Sequence, residues 1–96
     1  MLSIKAPDET VLVTFDFANL TASVSNPSVT ATNVMGATDL TPSSILLGST
    51  QAAGSKVTQI VAGGVDGAYY ELRCRALGAD GVSVFVLSDV LPILTV

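Results

Sequence analysis

The chain has 96 residues, of which 49% are hydrophobic and only 12% are charged. This composition excludes an intrinsically disordered protein, which needs low hydrophobicity and high charge, and a chain of this length supplies one core of modest size. The net charge is −4, and the chain has only four basic residues. These are too few for the basic patch that neutralises the phosphates of a nucleic acid, so we expect no nucleic-acid partner.

Residue types that carry catalysis or hold cofactors are scarce. There is no histidine and one cysteine, Cys74, which excludes an internal disulfide, a Cys–His nucleophile pair and, in practice, a structural zinc site. We therefore expect no enzymatic activity, no metal and no cofactor. One alternative is a calcium site between Asp66 and Asp80, since calcium takes oxygen ligands from loops, although no loop has closely spaced carboxylates.

The two ends of the chain carry no membrane or targeting signal. The first nine residues lack the apolar run of a signal peptide. The apolar segment 82–96 is too short for a spanning helix and contains Asp89 and Pro92. We expect synthesis in the cytoplasm and no membrane partner.

Alternating apolar and polar residues predict strands along the first two thirds of the chain. The first strand, 11–17, places Val11, Val13, Phe15 and Phe17 on one face. Three further strands are predicted at 29–32, 44–47 and 56–62. The segment 41–55 otherwise consists of loops, which form a plain connection or a binding element.

Residues 69–77 show the clearest alternation. Tyr70, Leu72, Cys74 and Ala76 share one face, which we expect to be buried. Tyr70 resembles the tyrosine corner of Greek-key sandwiches, in which the hydroxyl ties a strand to the preceding turn. A short loop at 78–81 predicts a hairpin to a strand at 82–87.

The number and spacing of these strands predict the fold class. Six strands, or seven if 91–96 pairs as well, recur at about 8–12-residue intervals, and no helical period is present. The prediction is an all-β fold: one immunoglobulin-like β-sandwich domain of about seven antiparallel strands over residues 1–96.

Two groups of residues are candidates for partner binding. The first is the outward row of the 69–77 strand, with Tyr69, Glu71, Arg73 and Arg75, because Arg and Tyr are enriched at interface centres; the alternative is a solvated face with a weak Glu71–Arg73 ion pair. The second is the apolar C-terminal run, which exceeds what one sheet face needs. Its candidate residues are Phe85, Leu87, Leu91 and Ile93.

Two segments resemble small virion proteins of tailed bacteriophages, of the fibre–tail adaptor or minor structural type. They are IKAPDETVLVTFDFANL at 4–20 and VTQIVAGGVDGAYYELRCRALGADG at 57–81. The matching residues are Lys5, Pro7, Asp8, Phe15, Asp16, Phe17, Gly63, Gly64, Gly67, Tyr70, Leu72, Cys74 and Ala76. The resemblance implies an immunoglobulin-like fold, a location in the virion and other phage virion proteins as partners.

We therefore predict a non-enzymatic structural component of a tailed-phage virion, a tail or fibre adaptor that acts through protein–protein contacts. Because the chain has few charged residues, apolar surface should remain exposed, and such surface tends to mark contact sites. Rings arise when contacts between copies close, so we expect a homo-oligomer in the particle. Two alternatives stay open. One is a capsid decoration protein, and the other is a carbohydrate-binding module, which would need exposed aromatic side chains.

Overall fold

A computed structural model describes residues 2–95. The elements are β1 (Thr10–Asp16), β2 (Ser25–Gly36), a 3-10 turn (Pro42–Ile45), β3 (Leu46–Ala53), β4 (Lys56–Ala62), β5 (Ala68–Leu77) and β6 (Val84–Pro92). The described range contains no α-helix, and hence no helix in it meets the length and apolarity that crossing a membrane requires.

The strands form two three-stranded sheets, β1-β4-β3 and β2-β5-β6, and every neighbouring pair is antiparallel. This confirms the all-β prediction and agrees with a sandwich. The immunoglobulin-like type stays a prediction.

The core lies between the two sheets and is filled by alternate residues of their strands. From β1 and the residue that follows it, Val13, Phe15 and Phe17 are buried, whereas Val11 is half-buried. The predicted inner face of β5 is confirmed. Its members Tyr70, Leu72, Cys74 and Ala76 are at most 1% exposed.

The described residues contain six strands. The possible seventh strand at 91–96 does not form within them, because residues 91 and 92 belong to β6, and residue 96 lies outside the described residues. β6 runs from Val84 to Pro92 in unbroken register with β5. Beyond it, Ile93 forms only an isolated bridge to Lys5. β2 is longer than the predicted 29–32, because two register shifts let it continue past Pro27 and past the Asn33–Met35 segment.

The segment predicted as loops around a short strand at 44–47 instead contains the 3-10 turn and β3. β3 shows no alternation because most of its side chains are exposed. Its register with β4 shifts between Leu47 and Gln51, and the buried Gln59 side chain spans this gap. The Gln59 amide donates to the Leu47 carbonyl (3.1 Å) and its oxygen accepts from the Thr50 hydroxyl (2.6 Å).

The N-terminal segment lies along the end of β6. Lys5 donates its backbone N–H to the Pro92 carbonyl (3.0 Å) and accepts from the Leu94 N–H (2.9 Å). Its side chain is only 1% exposed, and its ammonium donates to the carbonyls of Ala6 (2.8 Å) and Gly63 (2.6 Å). Lys5 therefore joins the N-terminal segment to the turn that follows β4.

Candidate interaction surface

The outer face of the β2-β5-β6 sheet carries the two arginines of β5. In the sheet register, Arg73 lies between Thr30 of β2 and Ser88 of β6. Arg75 lies between Ser28 and Val86 in the same way. Both arginines are exposed, as the alternation of β5 predicts. We call this region, centred on Arg73 and Arg75, the basic face.

The two guanidinium groups are not neutralised by the domain itself. Within residues 2–95, neither Arg73 nor Arg75 has a hydrogen-bond or ion-pair partner. The alternative of a Glu71–Arg73 ion pair is therefore not realised, although Glu71 is on the same side of β5 and half-buried. Two adjacent positive charges flanked by hydroxyl groups favour an acidic or polar protein partner.

A shallow recess of about 240 Å³ opens beside Arg75. Its walls include Asn26, Ser28, Leu77 and Val84. The register between β2 and β5 shifts between Ser25 and Ser28, beside this recess. Asn26 adopts the left-handed conformation there, with φ of 48°. Arg75 and Ala76 of β5 complete the lining of the recess.

The opposite end of the same face is more apolar. Tyr69 is half-buried and faces Met35 and Pro92 across the two ladders. Met35 is 56% exposed and Val86, nearer to the arginines, is 39% exposed. The outer face of this sheet thus carries exposed apolar side chains as well as charged ones, a combination that protein–protein interfaces also show.

The four apolar candidates from the C-terminal run do not lie on this face. Because Leu87 is opposite Cys74 and Phe85 is opposite Ala76, both point towards the core, where they are half-buried. Leu91 and Ile93 are 2% and 0% exposed. The structure therefore places Leu91 and Ile93 in the domain's own core and not on its surface.

Tyr70 fixes the turn that leads into β5. Its hydroxyl donates to an Asp39 carboxylate oxygen (2.6 Å) and accepts from the Val65 N–H (2.9 Å). The Val65 bond is the tie to the preceding turn that the sequence predicted. Burial, together with the bond to Asp39, raises the pKa of Tyr70, and the Tyr70 hydroxyl lowers the pKa of Asp39.

The sequence did not predict the structural roles of Asp39 and Lys5, which bond to distant parts of the chain. Asp39 is 31 positions from Tyr70, and Lys5 is 58 positions from Gly63. Burial lowers the pKa of Lys5, and the charges of Glu9 and Asp8 oppose that effect. Lys5 stood out only because it matches the phage proteins, since no local pattern pairs a lysine with a distant carbonyl.

The calcium alternative fails on geometry. Asp66 precedes β5 and Asp80 follows it, so they lie roughly 30 Å apart along a ten-residue strand. Asp66 accepts from the Thr95 N–H (3.0 Å). Asp80 accepts from the Ser83 hydroxyl and from two amides of its own loop; these bonds lower its pKa to about 2.

The aromatic side chains do not form a platform for sugars. Phe15, Phe17 and Tyr70 are buried, and Tyr69 and Phe85 are half-buried. The sequence has no tryptophan and no other Tyr or Phe. The carbohydrate-binding alternative therefore gains no support from the positions of these rings.

Comparison with known proteins assigns the sequence to a family. The sequence model of the podophage GP4 fibre–tail adaptor protein gp77 family matches residues 5–86. This range includes Lys5, the glycine-rich turn and the whole of β5. No curated protein and no solved structure matches the chain. Because the family match covers most of the sequence, the chain belongs to the podophage GP4 fibre–tail adaptor protein gp77 family.

Proposed function

We propose that this protein is a non-enzymatic structural component of the phage tail, which joins tail and fibre proteins through its basic face. Membership of a fibre–tail adaptor family supports a structural role in the virion. The observation that carries the finer proposal is the pair of exposed arginines, Arg73 and Arg75, without ion-pair partners in residues 2–95.

The chemistry of the basic face indicates the kind of partner. Two guanidinium groups on one strand, two residues apart, form bidentate bonds with carboxylates. The recess beside Arg75 and the half-buried Tyr69 provide apolar contact on either side. We propose that the partner is an acidic surface of another virion protein, and that several copies of this chain assemble in the particle as a homo-oligomer.

The proposal further holds that the protein is made in the host cytoplasm and acts without nucleic acid or membrane. The net charge of −4 disfavours nucleic acid, because the four basic side chains are divided between separate positions. Lys5 is buried and Lys56 lies on the other sheet. Only Arg73 and Arg75 share a face.

The test is incorporation into phage particles. The double variant Arg73→Glu, Arg75→Glu reverses the charge of the basic face, and both side chains are exposed, so the fold should survive. We expect unchanged thermal melting of the purified variant and loss of the protein from purified particles, measured by quantitative mass spectrometry. A loss of roughly tenfold or more is expected for two buried interfacial charges.

The matched control is Lys56→Glu, which changes the same type of charge on an exposed position of β4. Incorporation of this variant should equal that of the wild type. If the arginine double variant enters particles at the wild-type level, the basic face is a solvated surface and the proposed contact is wrong. If antibody labelling finds the protein on the head, the adaptor role gives way to capsid decoration.

A further inference from the structure

The outer edge of β1 has free backbone hydrogen-bonding groups. β1 pairs with β4 on one side, and just beyond it the Phe17 N–H donates to the Ser55 carbonyl (2.8 Å). Bonded and non-bonded residues alternate in an antiparallel ladder, so the odd-numbered residues of β1 bond to β4. The backbone groups of Leu12 and Thr14 point the other way, and within residues 2–95 they have no partner.

The other three sheet edges are each interrupted or covered. β2 contains Pro27 and two register shifts, and β3 has one shift between Leu47 and Gln51. β6 is covered at its end by residues 2–5, through the bonds of Leu2 and Lys5 to its carbonyls. β1 has an unbroken register and contains no proline, glycine or lysine. It therefore lacks the register breaks and the proline, glycine or lysine residues that commonly protect an edge strand from pairing, and the charged groups at this edge lie only at the two ends of β1.

Shallow grooves lie next to this edge. Two shallow grooves of about 240 and 220 Å³ lie along β1, and Leu2 lines both of them. The walls include the inward residue Val13 and the edge residue Thr14 of β1. On the far side of the first groove is Leu87 of β6, which is half-buried. Apolar side chains of an added strand can pack here.

The order of the strands points to the same place. In an immunoglobulin constant domain the sheets are A-B-E-D and C-F-G. The two sheets here, β1-β4-β3 and β2-β5-β6, correspond in chain order to B-E-D and C-F-G. Under this correspondence the position of strand A is beside β1, at the free edge.

The charge along the edge selects the occupant. Asp8 and Glu9 precede β1 and Asp16 ends it, and all three are exposed. If two copies of β1 paired antiparallel about Val13, Asp16 of each copy would lie opposite Thr10 and next to Glu9 of the other. Like charges at such short distance, here Asp16 of one copy and Glu9 of the other, destabilise the pairing. A basic strand would instead be attracted to both ends of β1.

We propose that the free edge of β1 accepts an extended, basic segment of another polypeptide as an added strand. Its backbone would bond to Leu12 and Thr14, its alternate apolar side chains would enter the grooves, and its basic residues would face the acidic ends of β1. This site is separate from the basic face and does not depend on the function proposed for that face.

The test is amide hydrogen exchange by NMR on the full chain, with a synthetic peptide of sequence Lys-Val-Lys-Val-Lys-Val-Lys at millimolar concentration. We expect exchange at the Leu12 and Thr14 amides to slow by about tenfold as the peptide saturates. The matched peptide with Glu in place of Lys should give no protection. Failure of the basic peptide to protect these amides, or equal protection by both peptides, overturns the proposal.

Two variants locate the effect. Thr14→Pro removes an N–H that faces away from β4, a change that edge strands tolerate, and should abolish protection while circular dichroism stays unchanged. Asp16→Lys should weaken binding of the basic peptide about two- to fivefold. Protection of the same amides that rises with protein concentration, without peptide, would show that a second copy occupies the edge and would contradict the proposed occupant.

Discussion

Replacement of Leu72 by aspartate tests which face of β5 forms the core. Leu72 is 0% exposed and lies between Ala31 on β2 and Asp89 on β6. Loss of a buried leucine side chain costs about 2–5 kcal/mol, and burial of a carboxyl group without a partner adds several more. A protein of this size has about 5–14 kcal/mol of total stability, so we expect Leu72→Asp to be unfolded at room temperature.

The matched control is Leu12→Asp, the same chemical change at a position that is 62% exposed on the outer face of β1. Its effect should stay below about 1 kcal/mol. Far-ultraviolet circular dichroism and thermal melting of both variants measure the contrast. A cooperative melt of Leu72→Asp at the wild-type temperature would refute this reasoning, as would unfolding of Leu12→Asp, because either result would mean that inner and outer faces are exchanged.

Three further predictions concern the turn and the core. Gly36→Ala should lower the free energy of unfolding by roughly 2 kcal/mol more than Gly48→Ala, measured by urea denaturation. Both glycines have φ above +70°, but a Cβ at Gly36 would overlap a carbonyl oxygen of the turn before β5, whereas Gly48 faces open space. Equal losses of stability in the two variants would contradict that contact. Tyr70→Phe should lower the free energy of unfolding by about 1–3 kcal/mol, because a turn amide loses its acceptor. The same variant should also show a weaker dependence of the melting temperature on acid. The Tyr70 hydroxyl keeps the pKa of Asp39 below 3.8, and the stabilisation from this hydrogen bond is lost as the pH falls through the lowered pKa. An unchanged acid profile in Tyr70→Phe would count against the Tyr70–Asp39 bond. Cys74→Ala should flatten the fall in stability between pH 9 and pH 11. Burial raises the pKa of Cys74 from 9.0 to about 11, so the thiol ionises first in the unfolded chain, and the difference in pKa is equivalent to about 2–3 kcal/mol. Parallel pH profiles of the variant and the wild type would contradict this effect of Cys74.

The sequence predicted β5 well because its two faces differ strongly. Buried Tyr70, Leu72 and Cys74 alternate with charged residues, so only one orientation places charge in solvent. Both arginines of the basic face followed directly from that alternation.

The same reasoning predicted a strand at 82–87 but could not orient it, because these residues are apolar at most positions and do not distinguish the two faces. The hairpin decides the register instead. The Gly78 N–H donates to the Ser83 carbonyl (2.8 Å), which places Phe85 and Leu87 on the core side. Leu91 follows in the same register and is buried in the domain's own core.

Contacts between distant positions could not be predicted from local patterns. β3 is held by its pairing with β4 and by the buried Gln59, so its own residues carry little signal. The bonds of Lys5 to Gly63 and of Tyr70 to Asp39 depend on how the whole chain folds. The free edge of β1 likewise becomes visible only when the sheet order is known.

The central claim, that this protein joins tail and fibre, is tested most directly by its position and copy number in the particle. Cryo-electron microscopy of purified phage, combined with quantitative mass spectrometry, gives both. We predict density for a small two-sheet domain between tail and fibre, at a low copy number that matches the symmetry of the tail. Density spread over the capsid shell in hundreds of copies, with none at the tail, would contradict it.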